Sequence, residues 1–413
     1  MKKVIIALLC FVALKMTAQP YTVENGKTRH RFAQMELGVT QYFSPVGGKT
    51  QVLAANGSVG NYQFGSNSIS AIFIGATHFW GHCDLALTIP VAKYGKGMKY
   101  GVDLQAKYYP WRIEHNKLRP YVGLSMNPFG YNQNDGPSVT KTYFPLMAGL
   151  NFYKNWHQFE LGVVYNYNNK FDYPISRTQL GVGQVQPFIL SATYKYTLET
   201  TSGRERNWRN GITQKRTEEL ANAGKLNNFS VAVGPTSSFR IKKSEYLSKK
   251  YGFAGQHSYS IALEYGLGYY LHKPDVHFNI AYRAFKSYIN AYSYKQDAQR
   301  KAMTFEAYKY IGDYHGFLPF IGPNVGYENL SINESDKTDT PKNYTFKGWK
   351  PGLTFGWDIR PDRLQSWILR TNLRWQPNLN VTMSDGSKNA LDQLEFNFIQ
   401  LVLYPERMFR KNK

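Results

Sequence analysis

The charged residues that fall on every second position are where this chain could do chemistry. Glu36, Asp84, Asp103 and Glu160 share one face of their alternating stretches with Lys107 and Lys195, while Arg283, Lys350, Arg370 and Arg374 share theirs with Glu264 and Asp358. The first set is net acidic and the second net basic. Acidic and basic walls facing each other across a water-filled bore would set up a transverse field that sorts small polar solutes by charge. Arg370 and Arg374 are fixed most firmly, because Trp367, Leu369, Leu373 and Trp375 take the alternate positions.

Other chemistry finds less support. No GxSxG, HExxH, GxxxxGK[ST] or GxGxxG pattern occurs. The nine histidines are scattered, and His78, His82 and His277 read as hydrogen-bonding residues of a wall rather than metal ligands. Beyond Cys10 the only cysteine is Cys83, which excludes an internal disulfide or CxxC site. No enzyme, metal or cofactor is expected.

These charges need strands to hold them. Arg31–Phe43, Ser68–Trp80, Cys83–Ala92, Lys99–Trp111, Leu118–Asn127, Tyr143–Tyr153, Gln158–Asn168 and Val185–Leu198 alternate apolar with polar, and so do eight later stretches. These are Phe229–Phe239, Ser258–Leu271, Val276–Ser287, Met303–Asp313, Phe317–Glu328, Tyr344–Ile359, Ser366–Gln376 and Leu394–Tyr404. Their connections run short, then long. The expected fold is all-β: one transmembrane antiparallel up-and-down barrel over 31–405, with about 16 strands (14 being the other count), short periplasmic turns and long extracellular loops. A soluble sandwich or propeller is the competing architecture, but recurring Tyr and Trp near strand ends suit aromatic girdles. A mean hydropathy of −0.47 beside 16% aromatic residues suits a barrel with polar lumen and loops.

The N-terminus, residues 1–18, has Lys2 and Lys3 before the apolar run Val4–Leu14, as a cleaved signal peptide would. A short periplasmic segment, 19–30, would follow, and a basic tail, 406–413, would close the chain. The connection 200–227 is the longest on its side and carries Arg204, Arg206, Arg209, Lys215, Arg216 and Lys225; within it Thr213–Ala223 could form a short helix. It reads as a solvated basic loop, or else as a lumen plug or a contact for a periplasmic partner.

The whole chain resembles Gram-negative bacterial outer-membrane β-barrels, and its closing strand Leu394–Tyr404 resembles the aromatic-rich signal read by the barrel-assembly machinery. The expected strand number resembles that of general diffusion porins. That resemblance implies an integral outer-membrane protein, monomeric or trimeric, passing small polar and preferentially anionic solutes. The alternative is a non-conducting structural or secretion-apparatus subunit. The formal charge of +22 favours anionic partners, here lipopolysaccharide and outer-membrane lipid rather than nucleic acid.

Overall fold

The computed structural model describes residues 22–24, 27–29 and 33–409, apart from 46, 55, 95–98, 133–137, 200–201, 204–211, 241–243, 255–258, 313–316, 338, 361–363, 365 and 392–393. The expected signal peptide, most of the 19–30 segment and the end of the basic tail lie outside the described residues.

Among the described residues, sixteen strands make up the walls, close to where the alternation places them. In the first half they are Ala33–Ser44 (β1), Asn67–His78 (β2), Cys83–Tyr94 (β3), Asp103–Tyr108 (β4), Lys117–Asn132 (β5), Leu146–Lys154 (β6), His157–Tyr165 (β7) and Phe188–Glu199 (β8). The second half holds Asn228–Phe239 (β9), Tyr259–Leu271 (β10), Val276–Ala291 (β11), Tyr294–Tyr310 (β12), Phe317–Asp336 (β13), Asp339–Ile359 (β14), Trp367–Trp375 (β15) and Leu394–Leu403 (β16).

They do not close as one ring. Strand β8 turns back onto β1, with Leu190↔Phe43 through Glu199↔Gln34 in register, and β4 pairs β5, so β1–β8 form a ring of their own. Strands β9–β16 close as a second barrel through β9 and β16. The expected single sixteen-stranded wall is therefore two eight-stranded rings. The physical reason lies in the connection between β8 and β9. It is far longer than a hairpin turn, so nothing obliges these strands to be neighbours, and a period of two says nothing about where a sheet closes. That connection contains the helix Ile212–Asn222, close to the expected Thr213–Ala223.

At the turn end Asn155 and Trp156 (φ 46° and 76°) carry the left-handed backbone of a two-residue hairpin between Lys154 and His157, while Phe79 and Trp80 (φ 54° and 58°) open a four-residue turn between His78 and Cys83, in which Gly81 follows at φ 86° where a Cβ would strike Ile113. At the loop end two expected loops are instead continuous strand. The β11–β12 hairpin runs on to a turn at Tyr292 and Ser293, and β13–β14 extends to Asp336 and Asp339. Alternation persists there with polar residues outward, as at Lys295, Asp297 and Gln299, so the ladder continues beyond the apolar band.

The outer walls expose large apolar side chains throughout, among them Leu161 (69%), Leu267 (64%) and Phe229 (63%). Soluble monomers rarely expose apolar surface on this scale, whereas a lipid-facing wall requires it. Adjacent tyrosines divide between the two faces: Tyr108 points outward while Tyr109 is fully buried inside.

Candidate functional site

The inward charges meet inside each ring. In the first, Lys195 Nζ lies 3.0 Å from Glu36, 2.9 Å from Asp84 and 2.8 Å from Glu160, and Lys107 Nζ lies 2.5 Å from the other oxygen of Glu160. The Tyr109 hydroxyl donates to Asp84 at 2.9 Å and reaches Glu160 as well. Arg119 stacks over Tyr109 and donates to the Gly81 carbonyl at 2.9 Å and to Asn151 Oδ1 at 3.1 Å. Asp103 stands nearer the loop end, accepting from Gln105 at 2.8 Å and from Ser125.

The second ring is filled by arginines. Arg374 Nε donates to Glu306 at 2.6 Å and Nη2 to Glu264 at 2.8 Å; Arg283 Nε lies 2.5 Å from Glu395. Arg300 bridges Glu328 at 2.8 Å and Glu395 at 2.6 Å. Toward the turn end Arg370 grips Asp358 with parallel bonds of 2.7 and 2.9 Å, a bidentate geometry that a guanidinium makes and an ammonium does not. His277 hydrogen-bonds Ser230 at 3.1 Å and stacks on Tyr308, so it is a lumen hydrogen-bonder.

Every one of these charged side chains is at most 5% exposed. An eight-stranded ring leaves an interior that side chains can fill, and here they fill it. Burying charge this densely carries a desolvation cost that the ion pairs and the hydrogen bonds to these side chains offset.

Eleven of the twelve charged residues anticipated from the sequence thus point into a lumen and are buried: Glu36, Asp84, Asp103, Glu160, Lys107 and Lys195 in the first, Arg283, Arg370, Arg374, Glu264 and Asp358 in the second. Lys350 has the inward phase but is half-buried, its Nζ 4.9 Å from the Phe346 ring. The anticipated opposition of an acidic and a basic wall is not formed, because the two sets occupy different rings and each meets counter-charges of its own. Sequence reading missed Arg119, Arg300, Glu306, Glu328 and Glu395. Glu306 was hidden because Met303–Asp313 alternates poorly; the strand in fact runs Tyr294–Tyr310, and extending the pattern backward would have exposed Arg300 as well.

Both loop ends are covered. Over the second ring, helix Glu245–Lys250 and the hairpin of Asn380–Thr382 with Lys388–Ala390 bring Tyr246, Leu247, Leu379, Val381 and Met383 onto Tyr294 and Ile332 in one apolar cluster. Tyr246 donates to Glu334 at 2.8 Å. On the outer surface of this cover Lys249 donates to Glu245, drawing that carboxyl below its ordinary value, and bonds from Ser387 do the same for Asp385. Over the first ring lies a four-stranded sheet in the order Lys170–Pro174, Leu180–Gln184, Lys49–Leu53, Val59–Gln63. Its inner face buries Phe171 and Tyr173, while Leu53, Val59, Leu180 and Val182 stay exposed on the outer face.

The rings touch at both ends. At the turn end His78 and Phe79 pack on Phe317, and His78 on Trp357. At the loop end Arg177 donates to the Tyr292 carbonyl at 3.0 and 2.6 Å and pairs with Asp336 at 2.5 Å. Among the described residues no three His, Cys, Asp or Glu side chains are grouped to hold a metal ion.

No protein-family model matches this chain. No curated protein matches it either. Among solved structures it is similar to Ail, the attachment invasion locus protein of Yersinia pestis, at 10% identity over 43% of this chain and 97% of Ail, with a TM-score of 0.29. An outer-membrane channel from Pseudomonas putida F1 matches at 8% identity over 94% of this chain and 99% of its own, with a TM-score of 0.22. The toluene transporter TodX of Pseudomonas putida matches at 9% identity over 90% and 88%, with a TM-score of 0.17. Likenesses this distant carry no function across. The chain's own closed sheets and exposed apolar walls make it an outer-membrane β-barrel protein.

Proposed function

We propose that this chain is a non-conducting barrel protein of the outer membrane, delivered there through a cleaved signal peptide and folded by the barrel-assembly machinery. Its work is done at its two ends rather than through its bores. The observation that carries this reading is the burial of the Lys195 and Arg374 networks across both lumens. A solute crossing either ring would have to part buried ion pairs that cost several kcal/mol each to break.

The working surfaces would then be the loop-end sheet, which shows Leu53, Val59, Leu180 and Val182 to the outside, and the connection 200–227, whose helix offers a periplasmic partner Lys215 and Arg216. The positive net charge suits lipopolysaccharide phosphates around the outer rim.

Single-channel recording of the purified, folded chain in a planar bilayer tests this. The expected trace is silent. Steady anion-selective conductance, weakened by Arg370→Glu and Arg374→Glu, would instead establish a diffusion channel for small polar solutes.

A further inference from the structure

We propose that the gap between the two rings holds an acyl chain of a phospholipid from the turn-end leaflet. A groove of about 330 Å³ opens between them, walled by Leu104, Ala106 and Leu124 of the first ring and by Phe355, Trp357 and Phe396 of the second. It persists because the rings are held at both ends, His78 and Phe79 against Phe317 below and Arg177 against Tyr292 and Asp336 above. The walls cannot close on each other without breaking one of these ties, and a void beside packed side chains forfeits their dispersion contacts.

The lining names the occupant. A water molecule there would need two or more polar partners. Gln105, Ser125 and Asn372 border the groove, but their side chains are buried in the lumens, and Thr371 commits its hydroxyl to the Phe398 carbonyl at 2.6 Å. Only hydrocarbon is compatible with what remains, and hydrocarbon is the medium at the groove's mouth.

The depth names the leaflet. Ala106 pairs Leu85 two residues above the Cys83↔Tyr108 pair that ends these strands at the turns, and Trp357 lies two residues from the turn-end terminus of β14. Leu124 and Phe396 each lie seven residues from the turn-end termini of their strands, Lys117 and Leu403, so the groove rises from the turn end to mid-wall, about the depth that an acyl chain of that leaflet reaches. With the turn end periplasmic, this is the phospholipid side of the membrane. The inference rests on membrane residence and not on whether either bore conducts, so a conductance result leaves it standing or falling on its own test.

Native mass spectrometry of the full chain, extracted in mild detergent and then exchanged into lipid-free detergent, reads the retained phospholipid. Ala106→Trp should fill the groove and reduce retention about tenfold, equivalent to ~1.4 kcal/mol of lost affinity. Ala307→Trp is the control: it alters a larger groove of about 660 Å³ that is lined by the second ring alone and open to bulk lipid. Retention should survive it. Leu124→Phe provides a milder filling variant, and heat-modifiable migration shows that each variant is folded. Absence of phospholipid from the wild-type chain, or equal loss in the Ala106 and Ala307 variants, overturns the proposal.

Discussion

Leu198, one residue from the end of β8, lies directly opposite Met35 near the start of β1. That pairing closes the first ring within the first half of the chain and leaves β9 to begin a second. Opposed residues in an antiparallel pair bring their Cβ atoms to about 5 Å. In a Cys83→Ser background, Met35→Cys with Leu198→Cys should therefore cross-link with a short bifunctional thiol reagent in the folded protein. Leu198→Cys with Phe229→Cys should not, whereas a single sixteen-stranded wall would give the reverse result. Gel mobility before and after reduction of a cleavable linker decides between them.

Arg374 joins Glu264 and Glu306 from two other strands of the second ring. Arg374→Met takes from two buried carboxylates the guanidinium that bonds both, leaving Glu264 with Arg283 at 4.0 Å, and removing one partner from a buried pair costs about 3–5 kcal/mol. Lys350→Met, at a half-buried position beside Phe346, should stay within about 0.5 kcal/mol of the parent. Urea unfolding of both variants refolded into vesicles measures the difference. Equal loss would mean that the arginine is not structural.

How much of this the sequence disclosed depends on which physical signal was asked. The faces were legible, because alternation is local: Leu37 and Val39 outward with Glu36 and Thr40 inward needs only a run of neighbouring residues. Ring closure was not, because Leu198 meets Met35 across more than half the first ring's sequence and hydropathy is blind to partner choice. Side-chain size offered the missing clue. Lysines, arginines and tyrosines crowd the inward positions, as at Lys107, Tyr109, Arg119 and Lys195, which suits a bore that must be filled rather than one that must stay open. The separate charge balance of each half was hidden while Arg300, Glu306 and Glu395 went unplaced.

Arg177 ties the two rings at their loop end through Tyr292, Asp336 and the Phe253 ring. Its side chain is about a third exposed, so solvent screens the ion pair and Arg177→Ala should cost only about 1 kcal/mol of overall stability. The local effect should be larger. Spin labels on the exposed outer-strand residues Val163 and Tyr288 report the spacing of the rings, and their distance distribution should broaden in the variant. An unchanged distribution would assign the ring contact to the Phe317 cluster and the Tyr292 hydroxyl bond to the Pro174 carbonyl.

The loop-end sheet finishes at Val59–Gln63, where the neighbouring strand pairs one side only. Phe64 donates to Gly48 and Ser58 accepts from Ala54, so alternate residues from Ser58 to Phe64 bond inward and Val59, Asn61 and Gln63 turn their amides to the free edge. This edge carries no lysine and no proline, the usual guards against unwanted pairing. Proline is tolerated where the lost amide faces outward and damaging where it served the ladder. Asn61→Pro should therefore leave the sheet intact, whereas Tyr62→Pro should open it to limited proteolysis between residues 45 and 66. Hydrogen exchange adds a second reading: the Asn61 amide should exchange far faster than that of Tyr62, and comparable rates would mean that the edge is already covered.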